Sequence, residues 1–314
     1  MRRVAILVAA SPTTAFYSQI AALRRALLRL RWSRWEPSMH VYVGGPHDPE
    51  TLEEWRPHLD GVQICWSSAA RFARDGDWAQ SDDVFMSPPP DADVLLAMDA
   101  DTLPVDVLEP VLEQVRETGA IAGVIAHYPP FPQAPEATRP ASTHEGWRQL
   151  SRGLLDARLD FSYSHTLMGT EVDTEQRAAP FYLNFGVVFF PGAAFRRITP
   201  LYLALRPQLM ERMLFPDFSG QAALTLAIAA AKSNTWALPM RYNFPNDPIA
   251  EQMYPAELEC AVVFHYLRNT TFDRHQIFAS AEQYEKFLSL RLQGVNLRFQ
   301  DAVRRIIGEQ YPFA

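Results

Sequence analysis

Val94, Leu95, Leu96, Ala97 and Met98 form an unbroken apolar run that ends on Asp99, Ala100 and Asp101. Such a run cannot present a polar face to water, so it reads as a strand covered on both sides. That points to a largely parallel sheet between two layers of helices. Carboxylates are costly to bury without a partner, so two of them at the end of a buried strand ask for a counter-charge. A hard divalent cation such as Mg²⁺ or Mn²⁺ would supply it. A polar turn leading to a helix would give the same three residues, and the tripeptide alone leaves both readings open.

The rest of the chain repeats the alternation. Residues 4–10 read as a buried strand, broken by Ser11, Pro12, Thr13 and Thr14, which offer N-caps to a helix. Phe16, Ile20, Leu23, Leu27 and Leu30 recur at helical spacing. Strands are expected over 39–43, 62–65 and 120–126, with a helix carried by Val107, Leu108, Val111, Leu112 and Val115. In a sheet of this kind ligands bind at the carboxyl ends of the strands, where both the loop after residue 10 and the Asp99/Asp101 pair fall. Residues 128–147 have no periodicity and read as a functional flap or a disordered segment. Further on, 181–190 reads as a strand and 200–214 as a helix kinked or divided at Pro207. A helix over 221–232 and short strands over 235–238 and 261–265 follow. The tail, 281–310, reads as helical, with an apolar stripe among Arg291, Arg298, Arg304 and Arg305. That stripe suits core packing, or peripheral contact with a membrane.

Composition narrows the classes. The 314 residues carry a net charge of -7, which argues against a general nucleic-acid binder. The two cysteines, Cys65 and Cys260, belong to no Cys/His cluster, so neither a structural zinc nor a disulfide framework is indicated, and a reducing compartment follows. The apolar run at 4–10 is short for a signal peptide, and no stretch is long enough to span a bilayer. The expected location is cytoplasmic, or peripheral at the inner face of a membrane.

The segment from Leu95 to Leu103 resembles the metal-binding segment of GT-A fold glycosyltransferases, most closely the glycogenin-like group of family eight. Three more segments are similar to that group in the same order: Tyr182 to Val188, with Asn184 and Gly186 in an Asn-x-Gly-Val pattern; Leu238, Pro239 and Asn243; and Val262 to Tyr266, with His265 before an aromatic. The matches are short and spread over nearly the whole chain.

The resemblance implies an α/β, Rossmann-like GT-A fold, a mostly parallel central sheet flanked by helices. The glycosyltransferase domain would span 1–275: a nucleotide-binding half at 1–126, a flap at 127–147 and an acceptor half at 148–275. A helical extension would follow at 276–314. It implies transfer of a sugar from a nucleotide-sugar donor, a UDP-sugar before a GDP-sugar, to the hydroxyl of a carbohydrate or other acceptor. Asp99, Asp101 and His265 would hold Mn²⁺ or Mg²⁺, the imidazole favouring manganese.

Donor contacts would come from Ala9, Ala10, Ser11 and Thr13, from Phe16 or Tyr17 stacking on the base, and from Asp99 and Ala100. Arg71 would suit phosphate and Asp83 sugar hydroxyls. Arg268 would act on the diphosphate where the family has a lysine. Asn184, Gln221 and Asp217 are the candidate catalytic residues. One departure stands out: Gly220 occupies the position of the family's acid beside Gln221. Asp217, one turn earlier, could act as a base for inversion. Retention is the preferred reading. The rivals are a nucleotidyltransferase, which usually has a Gly-rich loop and a basic residue after its first strand, and a non-enzymatic binding module.

Overall fold

The computed structural model describes residues 1–45, 49–76, 79–86, 90–131, 143–154 and 158–314. Among these residues the strands are β1 (Arg2–Ala10), β2 (Trp35–Val43), β3 (Val62–Trp66), β4 (Val94–Met98), β5 (Thr102–Pro104), β6 (Ile121–Ile125), β7 (Tyr163–Ser164), β8 (Ala178–Ala179), β9 (Leu183–Pro191), β10 (Thr235–Ala237), β11 (Phe244–Pro245) and β12 (Val263–His265). Seven build the central sheet in the order β10-β6-β9-β4-β1-β2-β3. Its pairings are parallel except those of β9, which runs antiparallel between β4 and β6. The expected α/β class and mostly parallel sheet are thus observed.

The apolar runs work as their pattern requires. Along β1, Val4, Ile6 and Val8 enter one core and Ala5 and Leu7 the other. Val94, Leu96 and Met98 of β4 divide from Leu95 in the same way. Successive strand residues point to opposite faces, so only a helical layer on each side can bury both sets.

Two expectations are corrected, and for the C-terminal stripe the core-packing reading holds. The helix Gly192–Arg212 runs through both Pro200 and Pro207 without dividing. Each proline removes a backbone donor, yet Phe195, Ile198, Tyr202, Leu205 and Leu209 are buried along the helix, and that packing outweighs the lost bonds. The tail is two helices, Ala281–Ser289 and Gly294–Ile306, separated by an extended cap at Leu290 and by Gly294 at φ +54°. Finally, Val295, Phe299, Val303 and Ile307 share one core with Val4 and Ile6 of β1. The stripe that could have met a membrane is therefore covered by the protein itself. Among the described residues no helix is long and apolar enough to cross a membrane.

Most of the expected flap lies outside the described residues. Its last part, from Thr143, begins the helix Thr143–Ser151, where fully buried Trp147 packs edge-on against Tyr182 at 5.3 Å.

Candidate functional site

β4 ends in a tight turn. The Thr102 N–H and hydroxyl both donate to the Asp99 carbonyl, at 3.2 and 2.7 Å, and the Asp99 N–H donates to the carbonyl of Gly186 at 3.1 Å. The chain then enters β5, which pairs antiparallel with β12 so that Thr102 lies opposite His265. This pairing carries a histidine from more than 160 residues along the chain to the aspartates. His265 Nε2 is 3.3 Å from Asp101 Oδ1 and 3.7 Å from Asp99 Oδ2. One ligand atom from each of the three lies within 4.8 Å of the others, close to the span of ligands around one ion with bonds of about 2.1 Å. Two carboxylate oxygens and an imidazole nitrogen fit Mn²⁺ or Mg²⁺.

The electrostatics separate the carboxylates. Desolvation, with Asp101 alongside, pushes Asp99 up to about 6, although half of its side chain still faces solvent. Burial would raise Asp101 too, but His265 and Arg274 outweigh it and hold Asp101 below the usual carboxylate range. His265 is lowered by burial and raised more by the two aspartates, so its proton is held above the ordinary histidine range. Arg274 is a partner that sequence reasoning missed: its Nη1 donates to Asp101 Oδ2 at 2.6 Å and to the Leu267 carbonyl at 3.0 Å. It lies nine positions beyond His265, and no periodicity marks it.

Beside the cluster, Asn184 is the second residue of β9. Its Oδ1 accepts from the Gly186 N–H at 2.9 Å and from Asn243 Nδ2 at 3.1 Å, and its Nδ2 lies 3.4 Å from His127 Nε2. His127, two residues beyond the end of β6, is also absent from the sequence-derived set. Burial lowers it to about 3, so it is neutral.

The donor-side expectations divide. Ala9 lines a small cleft with Ser81, Phe85, Ala97, Asp99 and Phe185. Ala10 is buried and its carbonyl accepts from Gly44 N–H at 3.0 Å. Ser11 Oγ is 3.5 Å from Gln80 Nε2. Thr13 caps the helix Thr14–Arg29 by accepting from the Phe16 N–H. Tyr17 must be corrected as a stacking platform: it is 0% exposed, on a helix packed between the sheet and the tail. Phe16 stays half-buried, 6.3 Å from the His275 ring. Ala100 is buried, and its carbonyl accepts from the Tyr266 hydroxyl at 3.4 Å.

Arg71 and Asp83 pair with each other, and Asp83 also accepts from Ser67 Oγ. Neither is a free contact for a ligand, because each would first have to give up a largely buried partner. Arg268 is paired with Asp247, donating through Nη2 at 2.8 Å, while Arg274 is the arginine that reaches Asp101. Asp217 is exposed on the one-turn helix Pro216–Phe218 and does not cap the helix Ser219–Ala230, whose N-cap is Phe218. Gln221 is half-buried in that helix. A Cβ at Gly220 would meet the Phe185 ring at 3.3 Å, so this helix begins against the residue that follows Asn184.

No family model and no curated protein matches the sequence. Solved structures do. The apo bifunctional glycosyltransferase WbbM matches at TM-score 0.54 with 12% identity, over 85% of this chain. This chain spans under half, 46%, of the WbbM chain. An active-site mutant of LgtC matches at TM-score 0.51 with 17% identity, over 84% of this chain and 87% of that one. Mouse xyloside xylosyltransferase 1, in its apo form, matches at 0.50 with 14% identity, over 85% and 99%. At these identities the likeness is one of fold, and the chain has the GT-A fold of glycosyltransferases.

Proposed function

We propose that this protein is a metal-dependent glycosyltransferase similar to the glycogenin-like group. It would take the sugar of a nucleotide-sugar, UDP-linked before GDP-linked, to an acceptor hydroxyl and release the nucleoside diphosphate. One observation carries the reading: Asp99, Asp101 and His265 converge at the carboxyl edge of the sheet, in a fold shared with glycosyltransferases. Mn²⁺ or Mg²⁺ held there would offset the charge that grows on the diphosphate as the glycosidic bond breaks.

The chain's own groups serve that step. Asp101 stays ionised because His265 and Arg274 face it. Arg274 brings a permanent positive charge beside the aspartates. Ala9 and Phe185 wall the small cleft next to Asp99. Asn184 is held by His127 and Asn243, and so offers a fixed amide rather than a mobile one. Retention is the favoured outcome, since Gly220 supplies no carboxylate and Asp217 is exposed. Asp217 and Gln221 stay candidates for acceptor contacts.

A panel of nucleotide sugars, assayed for hydrolysis and transfer with MnCl₂ present, tests the reading. Release of a nucleoside diphosphate that ceases on chelation and in Asp101→Asn is expected. Metal-independent turnover would refute it.

A further inference from the structure

Beside the aspartates lies a chain of buried and half-buried polar groups whose hydrogens can be assigned one by one. The Thr166 hydroxyl donates to the Ile125 carbonyl at 3.1 Å, so its only hydrogen is committed. His127 Nδ1, 2.8 Å from Thr166 Oγ1, must then be the donor to that hydroxyl oxygen, and His127 Nε2 keeps its lone pair. That lone pair faces Asn184 Nδ2. The opposite end of Asn184 is identified as oxygen by the Gly186 backbone N–H, a donor whose direction cannot be reversed. Asn243, fully buried, must therefore turn its Nδ2 to Asn184 and its Oδ1 away.

That Oδ1 and His265 Nδ1 are both buried, and neither has a hydrogen-bond partner among the described residues. They flank one point: a Cβ on Gly186 would lie 2.7 Å from the first and 2.4 Å from the second. Gly186 is not among the positive-φ glycines, so its backbone does not demand glycine. What demands it is space, since any side chain would stand between the amide and the imidazole.

We propose that Thr166, His127, Asn184 and Asn243 form a polarised relay from the Ile125 carbonyl to His265 Nδ1, and that Asn243 is a positioning residue that turns the Nε2 lone pair of His265 toward Asp99 and Asp101. The two atoms are not hydrogen-bonded to each other here; with a cation on Nε2, Nδ1 would carry the hydrogen, and Asn243 Oδ1 accepting it would fix the tautomer and the ring plane and raise the basicity of the nitrogen offered to the metal. The inference rests on the metal site proposed above.

Titration with Mn²⁺ alone, without nucleotide, tests it by calorimetry or by the electron paramagnetic resonance signal of free manganese. Asn243→Leu removes the acceptor and is expected to weaken binding by about 10- to 100-fold. Asn243→Asp keeps an acceptor toward Nδ1 but loses the donor to Asn184 Oδ1, so it is expected to bind Mn²⁺ more tightly than Asn243→Leu while being less stable than the wild type, a split that a purely structural role would not give. Gly186→Ala, expected to weaken binding by wedging the pair apart, decides the matter should the leucine variant fail to fold. Wild-type binding unchanged in Asn243→Leu, or in Gly186→Ala, overturns the relay and leaves the metal site standing. No binding of Mn²⁺ by the wild type removes the metal site, and the relay with it.

Discussion

Arg206 is 2% exposed on the helix Gly192–Arg212, and its guanidinium contacts Asp82 of the helix Ala79–Met86. Its Nε also donates to Ser219 Oγ at 2.9 Å, and Tyr202 gives Asp82 a second hydrogen bond at 3.1 Å. The pair thereby ties three helices together and fixes one wall of the cleft, since Ser81, Val84 and Phe85 stand on the same helix as Asp82. Burial nonetheless holds Asp82 above the usual carboxylate range despite Arg206. Desolvation therefore outweighs the Coulombic attraction, and the pair is not a large net source of stability. Removing only its cation is another matter. Arg206→Met leaves a buried carboxylate with Tyr202 as a remaining donor, and breaking such a pair costs about 3–5 kcal/mol. The retained Tyr202 bond places this case near the lower end. Replacing both charges, Asp82→Leu with Arg206→Met, should cost less than Arg206→Met alone, because no charge is then stranded. Urea unfolding at neutral pH of the wild type, both single variants and the double variant measures the coupling. A loss below about 1 kcal/mol in Arg206→Met, or strictly additive losses in the double variant, would refute the reasoning.

Three further outcomes follow from the packing and charge. Phe299 is fully buried and stacks on Tyr266, the neighbour of His265, at a centroid distance of 4.8 Å, so Phe299→Ala should lose about 3–5 kcal/mol in urea unfolding. A negligible loss would return the tail to a separate appendage. His127 and His165 are lowered by burial to about 3 and about 4, so the unfolded chain takes up protons near its ordinary histidine pKa that the folded chain refuses. Stability should fall as pH drops below that value, and His127→Asn should remove about 1.4 kcal/mol per pH unit of the loss; an unchanged slope would count against a neutral buried His127. Arg274 competes with a cation for Asp101, so Arg274→Met should tighten binding of Mn²⁺ alone by about two- to fivefold while weakening binding of a nucleoside diphosphate. Parallel changes in both affinities would contradict that division of roles.

What the sequence discloses depends on whether the constraint is local. The run from Val94 to Met98 could be read because a strand buried on both faces has no polar alternation to hide it. The partnership of Asp99 and Asp101 with His265 was legible only through a family resemblance, since it depends on β5 and β12 pairing across the chain. Tyr17 was misread because the helix Thr14–Arg29 is covered twice. Its first stripe meets the sheet, and the tail closes over more of it, with Arg25 Nε donating to the Ile307 carbonyl at 2.9 Å. No window of sequence around Tyr17 shows that second cover. The helix Gly192–Arg212 runs on through Pro207 instead of dividing there for the same reason, because tertiary burial overrode local propensity. Arg71 and Asp83 looked like two separate ligand contacts, and only the fold reveals that each neutralises the other. Arg268 and Arg274 are equivalent in chemistry, and which of them reaches Asp101 is decided by the path of the loop between them.

The most direct test of the central claim is calorimetric titration of the wild type and Asp101→Asn with UDP and with GDP, in MnCl₂ and again in chelator. Binding of UDP that requires manganese and disappears in Asp101→Asn is the expected result. Equal binding with and without the metal, or no binding of UDP or GDP under either condition, would contradict it.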